Sequence, residues 1–222
     1  MARGREDELL SLRADYDRDG VVIVRGYLSE AELSELRCRA LSLAGRMTNQ
    51  NHSAGKYKNV LKSLQNYDGY LDAQLRGGKH VQFLEQLLGS NIKGLSVAWF
   101  GRPDGDSEGI GPHVDALGRD DDSKEGVTIW FPLDPVNVEN GCLHYLRGSH
   151  RQRYLRVIPI PNIDQESVDV MAAELEPGDA VVHSANTVHW SGGNHSGAPR
   201  SAISFFYFSA DDSAVWQAST LN

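Results

Sequence analysis

The chain has 222 residues, 40% hydrophobic and 23% charged, with 22 Lys and Arg against 30 Asp and Glu and a formal net charge of −8. That length gives one domain enough interior to fold without a disulfide or metal staple, and the acidic balance argues against a nucleic-acid backbone as the main partner. No run approaches the roughly 20 apolar residues of a membrane span, the charged opening leads into no apolar signal core, and Cys38 and Cys142 fit no disulfide framework; a soluble protein in a reducing cytoplasm is the expectation.

In chain order, residues 5–17 carry Leu9, Leu10, Leu12 and Tyr16 as a loose helical stripe, closed at Asp19-Gly20. Residues 20–27 follow as a β run built on Val21, Val22, Ile23 and Val24. Ser29 and Glu32 form a capping box, and Leu33, Leu36, Ala40, Leu41 and Ala44 predict a helix from there to about Arg46. Residues 48–67 are polar without a period and read as a mobile loop, and a further helix over 81–88 ends at Gly89. From residue 92 the pattern changes to short β-branched and aromatic runs at 93–100, 127–133, 142–146, 155–160, 170–175, 179–183 and 201–208, separated by Gly, Pro, Asn and Asp. Helices followed by many short strands predict an α+β fold, a closed or double-sheet antiparallel structure braced on one side by the helices. The charged run at 119–125 reads as a solvated connection.

Eight histidines carry the chemical signal. His113 and Asp115 are two apart, so on an extended strand both side chains leave one face while Val114 points the other way. Imidazole and carboxylate then fill neighbouring corners of a metal's coordination sphere. His189 supplies a second imidazole from another strand, and two histidines with one carboxylate make the facial set typical of non-haem Fe(II) oxygenases. Arg200 lies eleven residues beyond His189 at the start of the last strong strand, where its guanidinium can pair bidentately with a carboxylate. Ser191, two residues after His189, shares that histidine's face and adds a hydroxyl donor to the same carboxylate.

In His113-Val114-Asp115, Glu139-Asn140-Gly141-Cys142-Leu143, Gly148-Ser149-His150, Gly178-Asp179, and His189-Trp190-Ser191-Gly192-Gly193-Asn194 with Arg200, the sequence resembles the phytanoyl-CoA dioxygenase-like (PhyH-like) Fe(II)/2-oxoglutarate oxygenases. The resemblance is clear from residue 111 to 208 and only in outline before that. It implies a double-stranded β-helix, a cupin-like jelly roll flanked by helices, here a single domain with a helical part at about 1–91 and a barrel at about 92–210. It implies iron ligation by His113, Asp115 and His189, anchorage of the distal carboxylate of 2-oxoglutarate by Arg200 and Ser191, and a place for Trp130 near that co-substrate. The activity implied is oxidation by O2 of an unactivated C–H in a small molecule, with succinate and CO2 as co-products. Because related halogenases lack the carboxylate ligand, Asp115 implies hydroxylation rather than halogenation. Arg147 stands where the family often has proline, and Lys56, Lys58 and Lys62 are all candidates for a further co-substrate contact from the N-terminal half. The acidic balance favours a neutral or cationic substrate, as in specialised metabolism, over a polyanion such as an acyl-CoA.

The remaining candidates read as structural. His183 competes with His189 for the second ligand position, but the His-x-Ser-Gly-x-Asn pattern selects His189 and leaves His183 to pack or hydrogen-bond within the sheet. Ser149 and His150 close a turn, the face of His144 is open, and His52, His80 and His195 belong to loops or the surface. Trp99, Phe100, Phe205, Phe206 and Tyr207 read as core, and Cys142 as a small buried residue. The polar segment 48–67 and residues 102–108 are the expected substrate-facing loops. The alternative reading is a metal-binding jelly roll without redox chemistry, such as a cupin-like isomerase or a ligand-binding sensor.

Overall fold

The computed structural model describes residues 2–48, 59–115 and 126–210. Helix α1 (Ala2–Asp19) stops where Gly20, at φ 73°, returns its N–H to the Tyr16 carbonyl, and β1 (Val21–Val24) follows. The capping box opens α2 (Glu30–Thr48) as expected: Glu32 accepts from the Ser29 backbone N–H at 2.8 Å and from its hydroxyl at 2.7 Å. Residues 49–58, half of the expected loop, and the charged run 119–125 lie outside the described residues. The end of that loop is more ordered than its polarity predicted. It forms β2 (Val60–Leu61) and a 3₁₀ turn (Leu64–Asn66), because Leu61 and Leu64 are buried in the core. Helix α3 (Gly69–Gly77) had no apolar period to announce it, yet its signal was present in Asp68, whose carboxylate accepts from the N–H groups of Tyr70 and Leu71. Helix α4 (Lys79–Leu88) ends at Gly89, φ 68°.

Eight strands follow among the described residues: β3 (Ile92–Arg102), β4 (Ile110–His113), β5 (Gly126–Pro132), β6 (Leu143–Leu146), β7 (Val170–Ala173), β8 (Ala180–Ser184), β9 (His189–Ser191) and β10 (Arg200–Ser209). They form a six-stranded sheet, β1-β8-β5-β10-β3-β2, and a four-stranded sheet, β4-β9-β6-β7, paired antiparallel throughout. This is the double-stranded β-helix the sequence led us to expect. The strand expected over 155–160 is absent: Pro159 and Pro161 offer no N–H to a ladder, and Leu155 and Val157 are exposed. Strands β4 and β9 are too short to show a period.

Strand alternation sorts the large sheet into two faces. Outward, Val97, Ile129, Phe131, Ile203, Phe205 and Tyr207 pack under Leu36, Ala40 and Leu43 of α2, Leu71 and Leu75 of α3, and Leu84 and Leu87 of α4. His80 belongs to this layer and not to the surface, since its first-turn position in α4 stacks it on Tyr27, Phe131 and Phe205. Burial, aided by the neighbouring Lys79 charge, pushes its pKa down to about 4. Inward, Val21, Trp130, Cys142, Tyr145, Val181 and Ala202 form the barrel interior. Among the described residues no helix is long and apolar enough to cross a membrane.

Candidate active site

Within the interior, β4 and β9 pair so that His113 stands directly opposite His189, their ring centroids 4.2 Å apart. Asp115 lies just beyond the end of β4, where its N–H donates to the Ala185 carbonyl. Val114 between them turns away into a cluster with Ile160, Val188 and Trp190, so the alternation read from the sequence holds although only His113 is within the strand. One ligand atom from each of His113, Asp115 and His189 falls within 4.8 Å of the others.

The surrounding bonds decide which atoms are offered. Nδ1 of His113 lies 2.9 Å from the Gly111 carbonyl, and Nδ1 of His189 lies 2.9 Å from the Thr187 carbonyl. A carbonyl only accepts, so each Nδ1 carries the proton and each Nε2 presents a lone pair. Burial pushes the His113 pKa down to about 4, and burial lowers that of His189 as well, so neither ring need lose a proton to bind a cation at neutral pH. Asp115 Oδ2 accepts from Thr128 Oγ1 at 2.8 Å and from His183 Nε2 at 3.1 Å, while Oδ1 faces His189 Nε2 at 3.6 Å. Burial opposes the charged carboxylate, but His189, the hydrogen bond from His183 and His113 outweigh it and hold Asp115 well below the usual range. Two neutral nitrogens and one free anionic oxygen converge, a donor set that fits a divalent first-row metal.

His183 hydrogen-bonds within the interior, as expected, and its ring also packs against those of Tyr145 and His189. Its Nδ1 lies 3.0 Å from the Tyr145 hydroxyl, which burial keeps protonated by raising its pKa well above the ordinary value. With Tyr145 donating to Nδ1, the ring proton sits on Nε2 and holds Asp115. His183→Phe should therefore weaken metal binding by about 10–100-fold, the usual cost of losing such a support. Calorimetric titration with Mn(II) checks this, and an unchanged affinity would contradict it.

The expected co-substrate anchors lie on the same interior. Arg200 opens β10, buried, with its guanidinium carbon 6.0 Å from the Trp130 ring centroid on β5. Its Nε donates to the Asn140 carbonyl at 3.2 Å and its Nη2 to the Gly141 carbonyl. That explains the Asn140-Gly141 pair. Gly141 sits at φ 79° against the backbone of Gly192 and Gly193, where a side chain has no room. Ser191 is buried and accepts from Arg102 Nη2 at 2.6 Å and from the Ile110 N–H at 3.2 Å. Arg102, which no sequence motif marked, is paired across β3 and β10 with Arg200. Of the three lysine candidates, Lys56 and Lys58 lie outside the described residues, and Lys62 is near enough to His113 for its charge to help lower that ring's pKa.

Residues 16–202 match the family described as "Phytanoyl-CoA dioxygenase (PhyH)". The chain belongs to this family. It is 33% identical over 87 residues, 39% of the chain, to the "Iron/alpha-ketoglutarate-dependent dioxygenase penM" of Penicillium thymicola. It is 27% identical over 175 residues, 71% of the chain, to the "Probable alpha-ketoglutarate-dependent hypophosphite dioxygenase" of Stutzerimonas stutzeri. The matched stretches span 25% and 60% of those relatives' own length. Among solved structures, EvdO2 from Micromonospora carbonacea var. aurantiaca complexed with 2-oxoglutarate superposes with a TM-score of 0.75 at 24% identity, covering 90% of each chain.

The PhyH pattern also contains residues whose work is structural. Asn194 is fully buried and donates to the carbonyls of Arg102 and Ala198, while its own N–H reaches the Asp106 carbonyl. It thereby staples the loop after β3, expected to face substrate, to the loop before β10. Asp179 of the Gly-Asp pair accepts from the Gly26 N–H at 2.9 Å and from Arg25 Nη1 at 2.7 Å. Ser149 receives the Val188 N–H and donates to the Leu146 carbonyl, closing its turn as expected, and Arg147 clips the Val168 and Asp169 carbonyls where the family often has proline. His144 takes the outer face, stacked on Trp190 at 11°.

Proposed function

We propose that this chain is an Fe(II)- and 2-oxoglutarate-dependent dioxygenase that oxidises an unactivated C–H of a small molecule, releasing succinate and CO2. The observation that carries the reading is one barrel interior holding two neutral imidazole lone pairs, one free carboxylate oxygen and a buried arginine whose bonds go to carbonyls. When bound at His113, Asp115 and His189, iron supplies the activation of O2 that is coupled to decarboxylation of the oxoacid.

The residues of the chain then have separate tasks. His113, Asp115 and His189 would hold the metal through one ligand atom each. Arg200 and the Ser191 hydroxyl fix the distal carboxylate, and the Trp130 ring walls the space beside Arg200. The apolar lining of Val21, Trp130, Val181 and Ala202 excludes water, which strengthens each of these polar contacts. Asp115 would fill the place that a halide would need, which favours hydroxylation over halogenation. The acidic balance of the chain favours a neutral or cationic substrate from specialised metabolism over an acyl-CoA.

Anaerobic titration of metal-free protein with Fe(II) and then 2-oxoglutarate tests the reading. A lilac visible charge-transfer band saturating at about one equivalent of oxoacid is expected, as one facial site requires. Bound iron without that band would remove the dioxygenase reading and favour a non-redox metal protein.

A further inference from the structure

Arg200 is buried with no carboxylate in ion-pair contact among the described residues. The two acids that act on it electrostatically, Asp106 and Asp134, are each committed to another arginine: Asp106 to Arg102 at 3.2 Å and Asp134 to Arg37 at 2.7 Å. Arg102 is itself buried and directly opposite Arg200 in the β3–β10 register. Like charges facing each other across a ladder repel. Burial and then the Arg102 charge depress the Arg200 pKa to about 10. Two guanidiniums and one carboxylate leave this corner of the interior one anion short.

Ser191 shows where that anion is received. Its hydroxyl oxygen has two acceptor positions, one filled by Arg102 Nη2 and the other by the Ile110 N–H. What remains is the O–H, which can only donate. A hydroxyl left only to donate, held by Arg102 across the ladder from an Arg200 that no described carboxylate pairs, is a carboxylate receptor.

We propose that Arg102 is a positioning residue of the co-substrate pocket, which makes Ser191 an obligate donor to the distal carboxylate and supplies the second positive charge of that subsite, with Asp106 attenuating its pull. The inference rests on the reading of Arg200 and Ser191 as the oxoacid anchor and adds what sets the strength and selectivity of that anchor. The selectivity follows from charge: an oxoacid with a distal carboxylate completes the ion balance, and one with a methyl end leaves two guanidiniums facing each other. Among the described residues, Asp106 hydrogen-bonds through its side chain only to Arg102, so it tunes this charge without touching the metal centre.

The test is calorimetric binding of 2-oxoglutarate and of 2-oxovalerate, which lacks the distal carboxylate, to the Mn(II)-loaded full chain without turnover. Arg102→Gln should weaken 2-oxoglutarate on the order of tenfold and leave 2-oxovalerate within about twofold. Asp106→Asn, which keeps the shape and removes the charge, should tighten 2-oxoglutarate by about two- to fivefold, the scale of a partly exposed charge pair. A merely structural role for this pair would make both variants bind worse. The proposal is overturned if Asp106→Asn weakens 2-oxoglutarate, or if folded Arg102→Gln binds it as the parent does or loses both oxoacids equally. Should Arg102→Gln fail to fold, the sign of the Asp106→Asn shift decides. A parent protein that binds both oxoacids equally would remove the anchor reading itself.

Discussion

Asp115→Ala is expected to abolish Fe(II) binding at concentrations that saturate the parent protein, and turnover with it, while the far-ultraviolet circular dichroism stays that of the folded barrel. Asp115 is the only anion among the three proposed ligands, so its loss leaves two neutral imidazoles to hold a dication in a half-dry interior. The fold is spared because the strands around the site are held by ladders that Asp115 does not join; its backbone bond to Ala185 survives in alanine. Some stability is still lost. The Thr128 hydroxyl and His183 Nε2 both donate to Asp115 Oδ2, and each donor left unpaired costs about 1–3 kcal/mol. Asp115→Asn should recover part of the melting temperature, since an amide oxygen can accept from the same donors, yet recover little of the metal affinity. Retained hydroxylation in the alanine variant would show that the ligand set is wrong.

Arg200→Ala is expected to weaken 2-oxoglutarate binding by about 1.5–3 kcal/mol, the range for hydrogen bonds to charged groups, or about 10–150-fold in Kd. The anaerobic titration of metal-loaded protein reads this directly. Arg200 is oriented before any ligand arrives, because the Asn140 and Gly141 carbonyls fix two of its nitrogens and Trp130 flanks its plane. A pre-oriented fork loses little entropy on binding. Arg200→Lys should therefore not rescue: a single ammonium cannot serve two backbone carbonyls and a carboxylate together. Unchanged affinity in Arg200→Ala would place the anchor elsewhere in the barrel.

How much of this was legible depended on sequence separation. The convergence of His113, Asp115 and His189, and the proposed roles of Ser191 and Arg200 beside them, were readable because two short patterns carry them, and strand alternation alone gives the faces of His113 and Asp115. Arg102 was not, because its meaning is its partner. Only the pairing of β3 with β10 sets it across from Arg200, and nothing near residue 102 announces that register. His183 was read as packing or hydrogen-bonding, which it does, but its partner Asp115 was hidden for a related reason. Alternation places His183 with Val181, but which face of β8 is interior follows from its pairing with Thr128 and Trp130 on β5. His80 was misplaced because a polar residue in an undetected first turn looks like surface until Phe131 and Phe205 arrive from strands far along the chain. The failed strand at 155–160 shows the opposite error, β-branched residues outweighing prolines that could not join a ladder.

The edges of the large sheet bear on the division into a helical part and a barrel. Strand β1 covers the open side of β8, and β2 covers part of the open side of β3, so segments from the first 61 residues occupy both rims of a sheet otherwise built from residues after 92. Cut away at residue 91, the remainder would present β8 as a bare rim with Val181 and Val182 in an unpaired ladder, the kind of surface on which foreign strands dock and chains polymerise. The Asp179 clamp to Arg25 and Gly26 would lose its partners at the same stroke. The N-terminal segment is therefore a hem on the rims of the barrel as well as a brace for its back, and the part from residue 92 is not a portable module.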